Sequence, residues 1–365
     1  MDFIDLKTQQ NLIREDLDAR MQKVLAHGQY IMGPEVAEVE KELAEFVGVK
    51  HAITCASGTD ALLMAMMAID LKPGDEVITT SFTFYATVGM MVYLGVKPVL
   101  VDICPKTYNL DIDEVEKKIT AKTKAIVPVS LYGQCADMDK LNALGKKLNI
   151  KIIEDAAQSF GAMQRGRRSC GLSEISCTSF FPAKPLGVYG DGGAVFTTDD
   201  AIAKEFKAIR LHGSFERYNH VRIGLNGRFD TLQAAVLLAK LKIFTKECED
   251  REHIGNRYTE LFAKKAPSLQ TPYVQDGNRH VYAQYTIRVP AREKLMEHLK
   301  SKGIPTVVHY PSPVHHQTVF KKLYGDAGTF PKAELAATQV LSLPMHPYMK
   351  AEDQDTIVNC IAEAL

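Results

Sequence analysis

The sequence predicts an α/β fold, with a mostly parallel central sheet that carries helices on both faces and a smaller α+β domain at the C-terminal end. Two observations support this prediction. Short apolar runs alternate with helix-like segments between residues 51 and 198, which is typical of βαβ units. From about residue 245 the chain changes to a charged helix, followed by strands and turns interleaved with helices. We therefore expect a large domain over residues 1–245, including an N-terminal arm, and a small domain over 246–365.

The first predicted element is an amphipathic helix in EVAEVEKELAEFV, where Val36, Val39, Leu43 and Phe46 recur three or four residues apart with charges between them. The predicted strands are HAITCAS, DEVITT, KPVLVD, KAIVPVS, IKIIED, EISCTSFF and GGAVFTT. Helix-like segments such as TDALLMAMMAI and CADMDKLNALGKKL separate them, and FDTLQAAVLLAKLKIF is apolar enough for a largely buried helix. In the small domain, VYAQYTIRV, GIPTVVHYP and VLSLPMHP have the pattern of strands and turns.

Composition and charge exclude several classes of function. The 44 basic residues balance the 44 acidic ones, so a broad basic surface for nucleic acid is not expected. The seven cysteines are odd in number and form no CxxC pair, which favours reduced packing residues over a disulfide framework or a zinc site. The N-terminal MDFIDLKTQQ does not resemble a secretory signal, and no apolar run reaches the roughly 18 residues of a membrane span. We expect a cytoplasmic protein.

Polar and aromatic residues follow the first two predicted strands. In open parallel α/β sheets, ligands bind beyond the carboxyl ends of the strands. The motif SGTDAL follows the first strand and opens a helix, so the backbone N–H groups of Gly58 and Thr59 can face an anion such as phosphate. The alternative is a simple helix cap. Phe84, in SFTFYAT, can lie flat on a planar ring, although a core position is the plainer interpretation.

A carboxylate and a lysine follow later strands. The apolar run of IIEDAAQS ends at Asp155, with Gln158 one turn later; the plain alternative for Asp155 is again a helix cap. Lys184 lies between small residues and prolines in SFFPAKPLGVYGDGG, five positions after Ser179. A lone lysine is usually a surface residue. One observation favours function for all of these residues. A single cofactor uses an anion site such as the helix start at Gly58, an aromatic ring such as Phe84, and a carboxylate and a lysine such as Asp155 and Lys184.

That cofactor is pyridoxal phosphate, which needs an anion cradle, a stacking aromatic ring, a carboxylate for its pyridine nitrogen and a lysine for a Schiff base. A buried Asp155 would hold the ring nitrogen protonated by ion pairing. Lys184 would attach the cofactor and then move a proton for the amino substrate, serving as both tether and acid/base. The residues therefore predict a pyridoxal phosphate enzyme.

The chain resembles the sugar aminotransferases of the DegT/DnrJ/EryC1/StrS family over almost its whole length. The motifs that carry the resemblance are, in order, GPEVAEVEKELAEFVGVKHAI, SGTDAL, PGDEVIT, SLYGQCADM, IIEDAAQSFGA, SFFPAKPLGVYGDGGAV, GLNGRFDTLQAA, VVHYPSPVH and VLSLPMHP. The resemblance implies fold type I of pyridoxal phosphate enzymes, which is the aspartate aminotransferase fold. It also implies a homodimer with active sites shared between the subunits.

The resemblance also assigns roles to individual residues. It makes Lys184 the Schiff-base lysine, Asp155 the partner of the pyridine nitrogen, Gln158 a neighbour of the ring hydroxyl and Phe84 the stacking residue. Its phosphate ligands are Gly58, Thr59, Ser179 and, from the other subunit, Asn226. Its nucleotide-sugar contacts are Arg228, His309 and Tyr310. The alternative for Arg228 is a local ion pair with Asp230, and for His309 a structural histidine.

In this family an amino donor, usually glutamate, first converts the cofactor to pyridoxamine phosphate (PMP), and a keto group on a nucleotide-linked hexose then accepts the amine. The resemblance is closest, in DFIDLKTQQ, AHGQYIMGPEV and SLYGQCADM, to members acting on UDP-2-acetamido-2-deoxy-3-oxo-glucuronic acid in surface polysaccharide (O-antigen, lipopolysaccharide) synthesis. We predict that activity for this chain.

Three alternatives remain beside it. One is aminotransfer to a 3- or 4-keto-6-deoxyhexose on dTDP or UDP. A second is the dehydratase branch of the family, which replaces the lysine by histidine, so Lys184 argues against it. A third, from a different class, is a non-catalytic subunit that binds a nucleotide sugar; such a subunit would tolerate the loss of Lys184 and Asp155, and both are present.

Overall fold

The computed structural model describes residues 1–216 and 218–365 of the chain. Its main sheet has seven strands: β1 (His51–Cys55), β2 (Glu76–Thr80), β3 (Lys97–Val101), β4 (Thr123–Val127), β5 (Lys151–Asp155), β6 (Ile175–Ser179) and β7 (Gly193–Thr197). Their order across the sheet is β1-β7-β6-β5-β4-β2-β3. Only β7 runs antiparallel to its neighbours, and the other pairs are parallel. The predicted, mostly parallel sheet is confirmed.

Helices account for most of the remaining regular structure. They are α1 (Leu6–Leu12), α2 (Arg14–His27), α3 (Pro34–Val47), α4 (Gly58–Ala68), α5 (Ala86–Tyr93), α6 (Ile112–Lys118), α7 (Met138–Leu148), α8 (Asp200–Arg210), α9 (Thr231–Lys265), α10 (Arg292–Ser301), α11 (Thr318–Tyr324), α12 (Pro331–Gln339) and α13 (Ala351–Ala364). Within the described residues, none of them combines the length and the apolar character that crossing a membrane requires.

The sheet is covered on both faces because successive residues of a strand point to opposite sides. Ile126 and Ile152 belong to the apolar cluster formed with α3, α7 and α9. Val127 and Ile153, each one residue further along its strand, belong to the cluster formed with α4, α5 and α8. This period of two explains why the strands read as continuous apolar runs, as expected for strands buried on both faces.

Helix α9 is a single element of 35 residues. Its first half packs on the sheet through residues such as Val236 and Leu237, and its second half packs in a C-terminal apolar cluster through Ile254, Tyr258 and Phe262. The domain boundary expected near residue 245 lies inside this helix. The two parts of the chain therefore share one continuous helix, and the position of the boundary stays a prediction.

The C-terminal part contains a two-stranded antiparallel sheet of β8 (Tyr285–Arg288) and β9 (Val340–Leu343), packed against α9, α10 and α13. The predicted strand in GIPTVVHYP contributes only an isolated bridge between Val307 and Ser342. Pro305 and Pro311 have no N–H to donate to a sheet, which explains the difference.

The rest of the regular structure consists of short pieces. These are a three-stranded sheet of Met163–Gln164, Arg167–Arg168 and Asn278–Arg279, the antiparallel pair of Ser214–Glu216 with Asn219–His220, and the 3-10 turns Leu131–Gly133 and Val314–His316.

Candidate active site

A cavity of about 470 Å³ lies at the carboxyl ends of β1, β5 and β6. Its lining comes from the segments that follow these strands and from the region around residue 309. The predicted site residues that line it are Gly58, Thr59, Phe84, Asp155, Gln158, Ser179, Lys184, His309 and Tyr310. The structure thus brings together residues that are up to about 250 positions apart in the sequence, as expected for the ligand site of an open α/β sheet.

The start of α4 forms one end of the cavity. Ser57 caps the helix, because its Oγ accepts a hydrogen bond from Asp60 N at 3.0 Å. The strand end at Ser179 packs directly on this turn: a Cβ atom added to Gly58 would lie 2.5 Å from Ser179 Cβ. Only glycine permits this approach, which places Ser179 beside the free N–H groups of the helix start. Free N–H groups and hydroxyls at a helix N-terminus suit a phosphate.

Asp155 ends β5 and is buried, with 4% of its surface exposed. Its Oδ2 accepts a hydrogen bond from Thr87 Oγ1 at 2.8 Å, and its Oδ1 accepts one from Ala157 N at 3.1 Å. Burial raises the pKa of this carboxyl, while the two hydrogen bonds and the charge of Lys184 act in the opposite direction. The raised pKa means that burial disfavours the charged form of this carboxyl, and a cation bound beside it would stabilise that form.

Lys184 projects into the same cavity from the segment after β6. Among the residues that the structure describes, its Nζ has no hydrogen-bond partner and no ion pair. Burial lowers the pKa of this amine, and the charge of Asp155 opposes the shift. A lowered pKa increases the neutral fraction of the amine, which is the nucleophilic form.

Gln158 is held at both ends of its side-chain amide. Its Oε1 accepts a hydrogen bond from Tyr132 N at 2.8 Å, and its Nε2 donates one to Tyr310 Oη at 2.9 Å. The orientation of the amide is therefore set within the chain. The predicted contact of Gln158 with a ring hydroxyl would add to these two bonds, and it stays a prediction.

His309 and Tyr310 reach the cavity from the C-terminal part of the chain. Burial, with a contribution from the charge of Lys184, lowers the pKa of His309 to about 4, so the ring is neutral at pH 7. Its Nδ1 is 2.9 Å from Ser342 Oγ. Burial also raises the pKa of the Tyr310 hydroxyl, which therefore stays protonated. Both side chains are neutral hydrogen-bonding groups.

Phe84 lies at the mouth of the cavity with 58% of its surface exposed. Its ring centroid is 6.1 Å from that of Tyr310, and the two planes are tilted by 40°. So large an exposed aromatic ring beside a cavity has free surface for stacking on a planar ligand. The core position considered as the plainer interpretation of this residue is wrong.

Two predicted residues do not line the cavity of their own chain. Asn226 is exposed, and its neighbour Gly227 accepts a hydrogen bond from Ala56 N at the end of β1. Arg228 is half-buried, and its Nε has no hydrogen-bond partner. The local ion pair with Asp230 is absent from the described part of the chain. The roles of Asn226 and Arg228 stay predictions.

Sequence reasoning did not identify Thr87, which orients the Asp155 carboxylate. Thr87 is three residues after Phe84 and is the second residue of α5, in a segment that already drew attention, so the signal was its position at the start of the helix. Asp191, Phe181 and Gln284 also line the cavity and were not predicted. Only the three-dimensional arrangement identifies them, because no spacing rule links these residues to Asp155.

The residues of the cavity fit pyridoxal phosphate. The glycine contact at Gly58 leaves the helix start accessible, which suits the phosphate. Among the described residues, no cation is bonded to the buried Asp155, a partner that a pyridinium would provide, and no residue is bonded to the Lys184 amine in the same cavity. The donor set therefore matches the anion, ring and aldehyde of the cofactor one by one.

A sequence model of the DegT/DnrJ/EryC1/StrS aminotransferase family matches residues 11–362. The UDP-2-acetamido-2-deoxy-3-oxo-D-glucuronate aminotransferase of Pseudomonas aeruginosa is 53% identical over 96% of each chain. A protein of Geobacillus stearothermophilus described as a pleiotropic regulatory protein is 44% identical over 99% of this chain and 97% of its own. The crystal structure of NtdA from Bacillus subtilis, with bound cofactor PMP, superposes with a TM-score of 0.91 at 31% identity, covering 99% of this chain and 83% of the other.

Proposed function

Because this chain belongs to the DegT/DnrJ/EryC1/StrS aminotransferase family, we propose that it transfers an amino group from glutamate to UDP-2-acetamido-2-deoxy-3-oxo-glucuronic acid. The chain is a pyridoxal phosphate-dependent sugar aminotransferase, so the proposal concerns its substrates. The observation that carries it is the 53% identity, over 96% of both chains, to an aminotransferase of that name. We also propose that the product is used in surface polysaccharide synthesis, as the resemblance implies, and that the protein acts in the cytoplasm.

The roles of the residues follow from their positions. Pyridoxal phosphate, when bound, supplies an electron sink for negative charge at the substrate carbon. Asp155 would bind the ring nitrogen and hold its proton, and Thr87 keeps the carboxylate turned toward the cavity. Lys184 Nζ, which has a lowered pKa and no bonded partner in the described part of the chain, would hold the cofactor and then carry the proton to and from the substrate carbon.

The charge of the cavity bears on how the substrate binds. Its lining contains one lysine, Lys184, and two acidic residues, Asp155 and Asp191, while His309 is neutral. A nucleotide-linked hexuronic acid carries a diphosphate and a carboxylate. With Lys184 holding the cofactor, the described lining offers no second cation to neutralise these groups, so further cations must come from outside it. Arg228 is our candidate for the carboxylate, because its planar fork binds a carboxylate in bidentate fashion.

We infer a homodimer in which Asn226 completes the phosphate cradle of the other subunit. Its exposure and its position outside its own cavity support this inference. Mixing Lys184→Ala chains with Asn226→Asp chains is expected to restore activity, because each hybrid dimer contains one intact site. Full exchange of subunits makes half of the dimers hybrids, so about a quarter of the parental activity is expected. A fully active monomer would contradict the inference.

The substrate is tested by incubating the protein with glutamate and a set of keto sugar nucleotides and identifying the aminated product by mass spectrometry. We expect the 3-oxo uronic acid on UDP to have the highest kcat/KM. A higher value for a 3- or 4-keto-6-deoxyhexose on dTDP or UDP would replace the proposed substrate by that alternative. Glutamate is compared with other amino acids in the same assay.

The non-catalytic alternative is separated by an absorbance spectrum. A lysine-bound cofactor absorbs in the near-ultraviolet or visible range, and a plain nucleotide-sugar-binding subunit has no such band. The relative described as a regulatory protein makes this control worthwhile. A purified protein that takes up no pyridoxal phosphate would contradict the catalytic assignment.

A further inference from the structure

The segment that carries Lys184 has no helix or strand between residues 180 and 192. Its backbone groups therefore lack regular partners, and buried groups of this kind need other ones. Three backbone bonds lie within the segment: Phe180 N donates to Gly192 O at 2.8 Å, Lys184 N to Phe181 O at 2.9 Å, and Val188 N to Phe180 O at 2.7 Å. They define a tight loop and leave the peptide groups around Gly187 and Tyr189 to be satisfied from outside.

Two side chains of α9 satisfy them. Gln233 Oε1 accepts a hydrogen bond from Tyr189 N at 2.9 Å, and Gln233 Nε2 donates one to Tyr189 O at 3.1 Å. Lys240 Nζ donates a hydrogen bond to Gly187 O at 2.6 Å. Residues seven apart lie on the same face of a helix. Gln233 and Lys240 therefore hold neighbouring peptide groups of the loop from one side.

Lys240 is fully buried, with 0% of its surface exposed. Its Nζ lies 4.4 Å from the ring centroid of Tyr189, and burial lowers its pKa to about 8. A buried ammonium with one hydrogen bond is costly. An aliphatic residue would avoid that cost but would leave the buried Gly187 carbonyl without its donor, so the lysine indicates a role in holding the loop.

Close packing around Gly187 fixes the direction of the carbonyl that accepts the hydrogen bond from Lys240. A Cβ atom at this position would lie 2.5 Å from Phe181 O and 2.7 Å from Pro182 O. The loop is therefore folded back on itself at Gly187, three residues after Lys184. Fixing the Gly187 carbonyl fixes the turn from which the Lys184 side chain projects. The Lys184 amine has no hydrogen bond of its own in the described part of the chain, so its backbone alone sets its position.

We propose that Lys240, assisted by Gln233, is a positioning residue for Lys184: it holds the Gly187 carbonyl so that the Lys184 amine stays directed into the cavity. This inference rests on the proposed role of Lys184. Neither Lys240 nor Gln233 lines the cavity, so their effect on the reaction passes through the loop.

The test compares Lys240→Met with Lys242→Met in the cofactor-loaded protein. Lys242 is two residues away on the same helix, with 55% of its side chain exposed in an ion pair with Asp16. For Lys240→Met we expect kcat per folded, loaded site to fall about tenfold with KM for the nucleotide sugar within about twofold. We also expect the lysine-bound absorbance band to weaken. Lys242→Met should match the parent in all three measurements.

Hydrogen exchange provides a readout independent of activity. We expect the amides of residues 186–190 to exchange at least about fivefold faster in Lys240→Met than in Lys242→Met, with the strands of the main sheet unchanged. If Lys240→Met does not fold, Gln233→Leu replaces it, with the Tyr189 amide as the reporter. Parental exchange, kcat and spectrum in the folded variant would overturn the proposal. If the parental protein aminates none of the keto sugars, the proposed substrate is refuted. The proposal for Lys240 is still tested in that case, because hydrogen exchange and the absorbance band need no sugar substrate.

Discussion

Lys184 and Lys240 occupy two different regions of the molecule, the cavity at the strand ends and the sealed interior behind it. Burial lowers the pKa of both amines. Lys240 donates to a backbone carbonyl and is closed off from solvent, whereas the amine of Lys184 faces open space with no bonded partner among the described residues. Burial alone therefore changes the basicity of a lysine, and the free volume beside it decides whether the amine can react.

The largest effect is expected at the cavity lysine. Lys184→Ala should lower turnover by at least about 10³-fold, because no other cavity group can both hold the cofactor and move the proton. It should not lower the melting temperature of the cofactor-free protein, because the amine makes no hydrogen bond to the described residues that the variant would lose. Turnover, calorimetry and the absorbance spectrum check this.

Lys240→Met is the variant whose melting temperature is compared with that of Lys184→Ala. Its melting temperature should fall, because the Gly187 carbonyl loses its buried donor. Equal losses of melting temperature in the two variants would contradict the different structural roles that we assign to Lys184 and Lys240. Full transaminase activity in Lys184→Ala would refute the catalytic role of Lys184.

A smaller effect is expected for Asp155→Asn. An amide cannot hold the ring nitrogen protonated by charge, so we expect some cofactor to remain bound and kcat to fall about 10²-fold. Thr87→Val is the graded control, because it removes only the 2.8 Å hydrogen bond to Asp155 Oδ2; we expect it to lower kcat about tenfold. An unchanged rate in Asp155→Asn would mean that Asp155 is only a structural cap.

Arg228→Lys tests whether the cavity depends on cations from outside its lining. We expect kcat/KM to fall about tenfold for the uronic acid and to stay near the parental value for its neutral 6-hydroxyl counterpart, since lysine does not reproduce a bidentate contact. An equal loss on both substrates would place Arg228 on the diphosphate or in the scaffold. No loss on either would remove it from the site.

The smallest effect is expected at another buried residue, His280, which stacks on Tyr282. Burial lowers its pKa to about 3, and its Nδ1 accepts a hydrogen bond from Tyr282 N at 2.8 Å. The unfolded chain binds a proton here below about pH 6.5 and the folded chain does not, so lowering the pH favours unfolding. Between pH 7 and 5.5 we expect the protonation of this histidine in the unfolded chain to lower the free energy of unfolding by about 1 kcal/mol.

Urea unfolding at the two pH values measures this cost. His280→Gln retains an acceptor without a titrating group, so its loss of stability over the same interval should be smaller, with kcat at pH 7 unchanged. An identical pH dependence in the parent and the variant would show that His280 does not contribute to acid sensitivity.

The family, the fold and the cofactor predicted from the sequence are confirmed by the family match and by the PMP-bound structure. These features were predictable because strand ends carry local signals: a cap motif, a terminating carboxylate and a lysine between prolines. The Thr87 contact with Asp155 and the contact of Lys240 with Gly187 were not predictable, because each joins segments that only the folded sheet brings together.

The unbroken helix α9 sets a condition for grafting the C-terminal part of one relative onto another. Each residue inserted into an α-helix rotates everything beyond it by about 100°. If a junction near residue 245 added a single residue, Gln233 and Lys240 would keep their side facing the Lys184 loop while Ile254 and Tyr258 would turn out of their apolar cluster. A chimera joined there must therefore conserve the residue count between position 240 and position 254, whatever sequence it carries between them.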